Sequence, residues 1–179
     1  MVKRLNFQSL SSFAKGQALV DDAMSRRPPR SIDLEDALEI ADMRDHHSKL
    51  METAVDGVVD WDTFDIVEFG PLMPSIALLD SVIDENGDQD FQYGYVGGSI
   101  NEIAQRPLRG LKLGDVLVGE AKDKIIAEYA AALEGGRPRA SVGRVTISDM
   151  DWVHYMRFLY PVRRDGAVNR ILLVMLYSL

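Results

Sequence analysis

Few side chains in this sequence can carry chemistry. The 179 residues include no cysteine, which excludes thiolate nucleophiles, cysteine-ligated metals and disulfides. The three histidines are His46, His47 and His154. Neighbouring residues on a helix project about 100° apart, so His46 and His47 cannot chelate one ion by themselves. We therefore expect no metal site.

Asp80 and His154 are the residues that an acid–base enzyme would use. Each lies in a segment with the composition of a strand, and an active-site carboxylate or imidazole in an apolar pocket has a shifted pKa. A strand-end aspartate facing water and a hydrogen-bonded strand histidine explain the same residues without catalysis. We expect no catalytic residue, and we predict that the protein is not an enzyme.

An apolar ligand pocket is the other feature that the pattern predicts. Candidate ligand-binding residues are the aromatic and aliphatic side chains, with one histidine, that the predicted elements bring together. They are Tyr93, Tyr95, Ile103, Tyr129, His154, Met156 and Phe158. Strand alternation places Tyr93 with Tyr95, and it places His154 with Met156 and Phe158. An ordinary filled core would produce the same set, so both interpretations stay open.

The elements that position these residues fall into three parts of the chain. Residues 1–30 are an N-terminal tail or linker, which Pro28-Pro29 separates from the rest of the chain. Residues 31–58 form a flanking amphipathic helix with its apolar residues on one side. Residues 60–179 make one domain.

That domain shows strands, then helices, then strands. Strands are predicted over 75–83 and 91–96, and Asn86-Gly87 between them is typical of a hairpin turn. A helix over 120–134 ends at the Gly135-Gly136 pair. Three more strands come after it, over about 140–148, 152–162 and 169–178. This order favours an α+β fold with one five-stranded antiparallel sheet and helices on one face.

The last strands are apolar almost throughout. Residues 171–177 read ILLVMLY, although a sheet with one wet face should alternate apolar and polar residues. Both faces of the sheet must therefore be covered. The flanking helix or a second subunit can cover the outer face, and we expect a homodimer through it.

Charge and hydropathy limit the partners. The formal net charge is −8, whereas a phosphate-binding surface needs surplus Lys and Arg, so we expect neither nucleic acid nor membrane as a partner. No apolar run reaches the roughly 20 residues of a transmembrane helix, and no signal peptide is evident. We expect a cytoplasmic protein.

The order of elements resembles the PAS domain, with β-β, short helices, a longer helix and then β-β-β. Residues 98–117, GSINEIAQRPLRGLKLGDVL, look like the PAS segment after the first hairpin. Residues 125–138, IIAEYAAALEGGRP, look like the longer PAS helix and its exit turn. Residues 93–100, YGYVGGSI, are similar to short bacterial PAS proteins of the proteobacterial type. The resemblance covers about residues 60–179.

The resemblance implies a sensory or signalling module whose ligand lies between sheet and helices, and whose flanking helix mediates dimerisation. Because the chain ends with the last strand, the expectation is a stand-alone module that contacts a signalling protein partner. Flavin and chromophore attachment in this class uses a cysteine, which is absent here. Haem-binding members use a histidine on the longer helix, and 120–134 contains none, so we expect no haem. The identity of any cofactor stays unknown.

The sequence supports three functional hypotheses. The first is a PAS-like sensor that binds a small apolar ligand and reports through a dimer or a protein partner. The second is a ligand-free docking scaffold with a filled core. The third is a small cone-shaped enzyme of the ketosteroid-isomerase type, which would place Asp80 or His154 inside the pocket.

Overall fold

Eight strands form one sheet in the part of the chain that the structure describes. The computed structural model describes residues 29–117, 120–145 and 153–178. Its five long strands are β4 (Ile76–Ile83), β5 (Gln89–Val96), β6 (Arg139–Arg144), β7 (His154–Arg164) and β8 (Ala167–Ser178). They lie in the order β6-β7-β8-β4-β5, and each neighbouring pair is antiparallel. The predicted α+β class and its antiparallel sheet are confirmed.

The predicted number of five strands is wrong. Three short strands, β1 (Arg30–Ile32), β2 (Ala54–Val55) and β3 (Val58–Asp60), extend the sheet. β1 pairs with β6 in antiparallel fashion, whereas β3 pairs with β7 in parallel. Segments of two or three residues carry no alternation that a sequence pattern could reveal, since a period of two needs a longer run to be recognised.

Two helices replace the single flanking helix predicted over residues 31–58. They are α1 (Leu34–Ile40) and α2 (Arg44–Glu52), with Asp33 capping α1 by accepting a hydrogen bond from the Asp36 amide at 3.1 Å. Between the helices, Asp42 takes a left-handed conformation at φ 53°, which ends the first helix. After α2, the Asp56-Gly57 turn folds the chain back as the β2–β3 hairpin.

The N-terminal helices cover one face of the sheet. α1, α2, β3 and a 3₁₀ segment (Ile66–Ser75) pack on Met156, Phe158 and Tyr160 of β7 and on neighbouring apolar residues of β4 and β8. These strand residues are buried within a single chain. The homodimer was predicted because this face would otherwise be bare, and that reason no longer applies to it. The homodimer itself stays a prediction.

The opposite face of the sheet is covered by α3 (Gly98–Ala104), α4 (Leu113–Val116) and α5 (Glu120–Gly135). Successive residues of β7 and β8 therefore enter two different cores, which explains why these strands show no polar alternation. The β4–β5 hairpin turns through Asp84–Asp88, where the Asp84 carboxylate accepts the amides of Asn86 and Asp88. The position of this hairpin is as predicted.

Asp90 joins the hairpin to the helical layer. Its side chain is 6% exposed and accepts the Gly114 amide near the start of α4 at 3.1 Å. The same carboxylate accepts the Phe91 amide at 2.7 Å. α4 is thus fixed against β5 by a side chain from the sheet, which keeps the helices at a defined distance from the strands.

His47 makes the stability of the N-terminal layer sensitive to pH. Its Nδ1 lies 3.3 Å from the Tyr160 hydroxyl, and its pKa is lowered from 6.5 mainly by burial, against an opposing effect of Glu35. As pH falls below about 6.5, the unfolded chain takes up a proton that the folded chain resists. We expect His47 to contribute no pH-dependent loss to the free energy of unfolding well above pH 6.5. At lower pH, this free energy should decline as the histidine of the unfolded chain takes up a proton.

Urea unfolding of the wild-type protein and His47→Phe at pH 7.5 and 5.5 checks this expectation. Phenylalanine keeps a ring against Tyr160 but cannot titrate, so the variant should lose less stability than wild type on acidification. His154→Phe measures the separate contribution of His154, whose pKa burial and Arg144 also lower. Equal losses in wild type and His47→Phe would contradict the assignment.

Candidate functional site

A cavity of about 50 Å³ lies between the sheet and the helices α3, α4 and α5. Aliphatic and aromatic side chains form most of its wall, and two arginines lie among them. The lining residues are Tyr93, Ile100, Ile103, Leu108, Leu113, Leu117, Ile125, Tyr129, Arg144, Val145, Tyr155, Arg157, Met175 and Tyr177. An apolar cavity with a few convergent polar groups is the usual form of a small-molecule site.

Arg157 is the buried one of the two arginines on the cavity wall. It is 2% exposed, and its Nε donates a hydrogen bond to Ser141 Oγ at 2.8 Å. Its Nη2 donates to Glu128 Oε2 in a close ion pair that joins β7 to α5. The guanidinium carbon lies 5.4 Å from the ring centroids of Tyr129 and Tyr155, within cation–π distance. A cation is thus held inside the apolar interior by one carboxylate, one hydroxyl and two rings.

Two polar atoms of the residues around Arg157 are buried without a hydrogen-bond partner. They are Glu128 Oε1 and the Tyr155 hydroxyl. The Tyr155 ring lies across Gly143, its register partner on β6, where an added Cβ would approach the phenolic oxygen to 2.6 Å. A glycine at 143 is what allows the tyrosine to lie there. Buried polar atoms normally have a partner, and of these two residues only Tyr155 lines the cavity, so its hydroxyl is the one available to water or a ligand there.

Burial fixes the protonation of the site. It raises the pKa of Tyr93, Tyr129, Tyr155 and Tyr177 above the ordinary value of 10, so all four are neutral phenols near neutral pH. For Arg157, burial opposes the charge, but Tyr155 and Glu128 hold its pKa above the ordinary value. The cavity wall therefore carries two arginines and neutral phenols, and the Glu128 carboxylate that pairs with Arg157 is not itself a lining residue.

Three of the seven predicted ligand-binding residues line the cavity. Tyr93 enters from β5, Ile103 from α3 and Tyr129 from α5. The spacing of apolar residues on each element was enough to identify these three. They come together because α3 and α5 pack on the same face of the sheet.

The other predicted residues lie elsewhere. Met156 and Phe158 point into the core beneath the N-terminal helices, and the partly exposed His154 is absent from the cavity wall. The prediction took the face of β7 opposite to the cavity, because every residue from 155 to 162 is buried and no alternation distinguishes the two faces. Tyr95 is also displaced, since an irregularity in the β4–β5 register, next to Gly94, turns it away from Tyr93 to the opposite core.

Asp80 is not part of the cavity either. Its Oδ1 accepts Arg170 Nε at 2.6 Å, and the Arg170 guanidinium lies 5.0 Å from the Trp61 ring centroid. The hypothesis of an acid–base enzyme depended on Asp80 and His154, and neither of them lines the cavity. Sequence reasoning missed Tyr155 and Arg157, although a lone charged residue within an apolar strand is a recognisable sign of a buried, paired group.

The cavity predicts an unequal tolerance for larger side chains. Ile103→Phe would add atoms next to open space, whereas Ile76→Phe would add them to the close-packed core beneath the N-terminal helices. Overpacking a filled core costs about 1–3 kcal/mol. We expect Ile76→Phe to lose that amount and Ile103→Phe to lose clearly less, as measured by urea unfolding. Equal losses would show that no usable space exists beside Ile103.

Comparisons with protein-family models, with curated protein sequences and with solved structures find no match for this chain. Among the described helices, none is both long enough and apolar enough to cross a membrane. The function must therefore be inferred from the residues and their geometry.

Proposed function

We propose that this chain is a PAS-like sensory domain that binds a small molecule between its sheet and helices α3–α5. The occupied and empty states differ in how α5 packs on β7. A protein partner or a second copy of the chain binds one of these states in preference to the other. The proposal retains the ligand-binding hypothesis drawn from the sequence and puts the site at the Arg157 end of the cavity.

The observation that carries the proposal is the buried Arg157 on the cavity wall, held in an ion pair with Glu128. Such a pair lends little net stability compared with apolar residues of the same size, so its presence in a core favours a functional role. The resemblance to PAS domains supports the same location. The element order from β4 to β8, with two short helices and one longer helix between the hairpin and the last three strands, agrees with that resemblance.

The Arg157–Glu128 pair also couples the proposed ligand site to the packing of α5. Glu128 lies on α5, with its side chain 10% exposed, and Arg157 lies on the central strand β7. A ligand at the guanidinium changes the contacts that hold α5 to the sheet. Because α5 is the longest described helix, a small change at Glu128 can alter a large surface.

Native mass spectrometry of the full chain, purified without added ligand, tests the proposal. We expect a noncovalent small molecule on wild-type protein, released on denaturation, and less of it on Ile103→Phe. The same spectrum reports the number of subunits. Ile76→Phe serves as the matched control and should retain the molecule as long as it folds.

A wild-type protein that carries no molecule, and whose unfolding midpoint does not respond to any member of a metabolite library, would contradict the proposal. That result would favour the docking scaffold with a filled core. Retention of a molecule by Ile103→Phe at the wild-type level would place the ligand outside the cavity and would also contradict the proposal.

A further inference from the structure

The charged side chains of the cavity wall restrict the kind of molecule that fits. Among the described residues that line the cavity, Arg144 and Arg157 are the charged ones, and both are cations. We infer that the ligand is a small carboxylate with a short aliphatic chain, whose oxygens accept hydrogen bonds from Arg157, Arg144 and the Tyr155 hydroxyl. This inference rests on the proposed ligand-binding function and specifies the ligand class. It replaces the purely apolar ligand expected from the sequence.

The three donors come together at one end of the sheet. Arg144 is the last residue of β6, and Tyr155 lies near the start of β7, two residues before Arg157. Alternate residues of a strand point to the same face, so Tyr155 and Arg157 both enter the cavity wall. Tyr155 pairs in register with Gly143, the residue before Arg144. The head group of a ligand at this end of a small cavity therefore lies close to all three donors.

Hydrogen-bonding capacity argues for a ligand that accepts. Arginine side chains only donate, and the bonds to Ser141 and Glu128 occupy two of the five N–H groups of Arg157. The Tyr155 hydroxyl is buried without a hydrogen-bond partner and can donate as well. A carboxylate has two oxygens with about four acceptor positions between them, so it can accept from several of these donors at once.

Charge argues for a carboxylate over an uncharged acceptor. Hydrogen bonds between a guanidinium and a carboxylate are roughly twice as strong as those between neutral groups. Glu128 opposes an anion, but it lies outside the cavity wall, whereas Arg144 adds a second positive charge to the wall itself. Burial lowers the pKa of His154 and the charge of Arg144 lowers it further, which shows that this charge acts on other groups at the same end of the sheet.

Size and the rest of the wall limit the carboxylate to a short one. The cavity holds about 50 Å³, and one water occupies roughly 10–15 Å³ by the same measure, so about four non-hydrogen atoms fit. Acetate has that number of atoms, and its methyl group would face the aliphatic wall formed by residues such as Ile100 and Ile103. Acetamide has the same shape without the charge, which makes it a matched probe.

The test is an NMR titration of the ¹⁵N-labelled full chain with acetate, acetamide and xenon as separate probes. We expect saturable shifts of the amides near Ile103 and Arg157 with acetate, and roughly tenfold weaker binding of acetamide at equal ionic strength. Tyr155→Phe and Arg144→Gln should each weaken acetate binding about fivefold without changing xenon binding. Arg139→Gln is the matched control, because Arg139 is an exposed residue of the same strand as Arg144 and does not line the cavity.

The other outcomes separate the ligand class from the ligand-binding function. Acetamide binding as tight as that of acetate, or binding of xenon alone, would overturn the inferred ligand class and leave the ligand-binding function intact. Acetate binding that is equal in wild type, Tyr155→Phe and Arg144→Gln would also overturn the class, as would failure of all three probes while the mass spectrum shows a retained molecule. Failure of all three probes, together with no retained molecule, would overturn both the class and the proposed function.

Discussion

Glu128→Leu is expected to destabilise the protein by about 3–5 kcal/mol, the typical result of removing one partner from a buried ion pair. The substitution leaves the Arg157 guanidinium charged and 2% exposed, while its hydrogen bond to Ser141 remains. Arginine cannot release its proton to relieve the cost. Urea unfolding at neutral pH measures the loss.

The double variant Glu128→Leu with Arg157→Leu tests whether the loss comes from the unpaired charge. Replacing both partners with apolar residues is often close to neutral, so the double variant should recover most of the stability. Arg44→Leu is the surface control, since its ion pair with Glu35 is more than half exposed on both sides and should contribute only about 0–1 kcal/mol. Additive losses for Glu128→Leu and Arg157→Leu would contradict the pairing.

Gly97→Ala should be strongly destabilising although it adds a single methyl group. An added Cβ would lie 2.3 Å from the carbonyl oxygens of both Met73 and Pro74. These are backbone atoms of the 3₁₀ segment, so they cannot swing aside as a side chain would. We expect a loss of about 3 kcal/mol or more, at or above the upper range for overpacking, together with weaker ligand retention because Gly97 precedes α3.

Gly98→Ala is the matched control one residue away. An added Cβ there meets nothing within 4 Å, and Gly98 is the first residue of α3. Replacing glycine by alanine in such a place stabilises by about 0.4–1 kcal/mol, chiefly by restricting the unfolded chain. Thermal and urea unfolding of both variants should therefore differ in sign. Similar effects at the two positions would contradict the described contact between α3 and the 3₁₀ segment.

The parts of the fold that sequence predicted correctly have strong local signals. Asn86-Gly87 marks the first hairpin, and Gly135-Gly136 marks the end of the longer helix, which the structure places at Glu120–Gly135. The missed features depend on weak or distant signals. The break at Asp42 has no glycine or proline beside it, and nothing local distinguishes it from the interior of a helix.

The candidate site was predicted only in part for a related reason. A strand buried on both faces gives no information about which residues face which core, so the choice between Met156 and Tyr155 depended on tertiary packing. The partner of Arg157 is Glu128, 29 residues earlier in the chain. The helix pattern places Glu128 beside Tyr129, at the edge of the buried side, but it does not identify the strand residue that Glu128 meets.

A crystal structure of the full chain, purified and crystallised without added carboxylates or alcohols, tests the central claim most directly. We predict non-protein electron density in the cavity, within hydrogen-bond distance of the Tyr155 hydroxyl, with Arg157 still paired to Glu128. A cavity that is closed by side chains, with the Tyr155 hydroxyl bonded to a protein group, would contradict it.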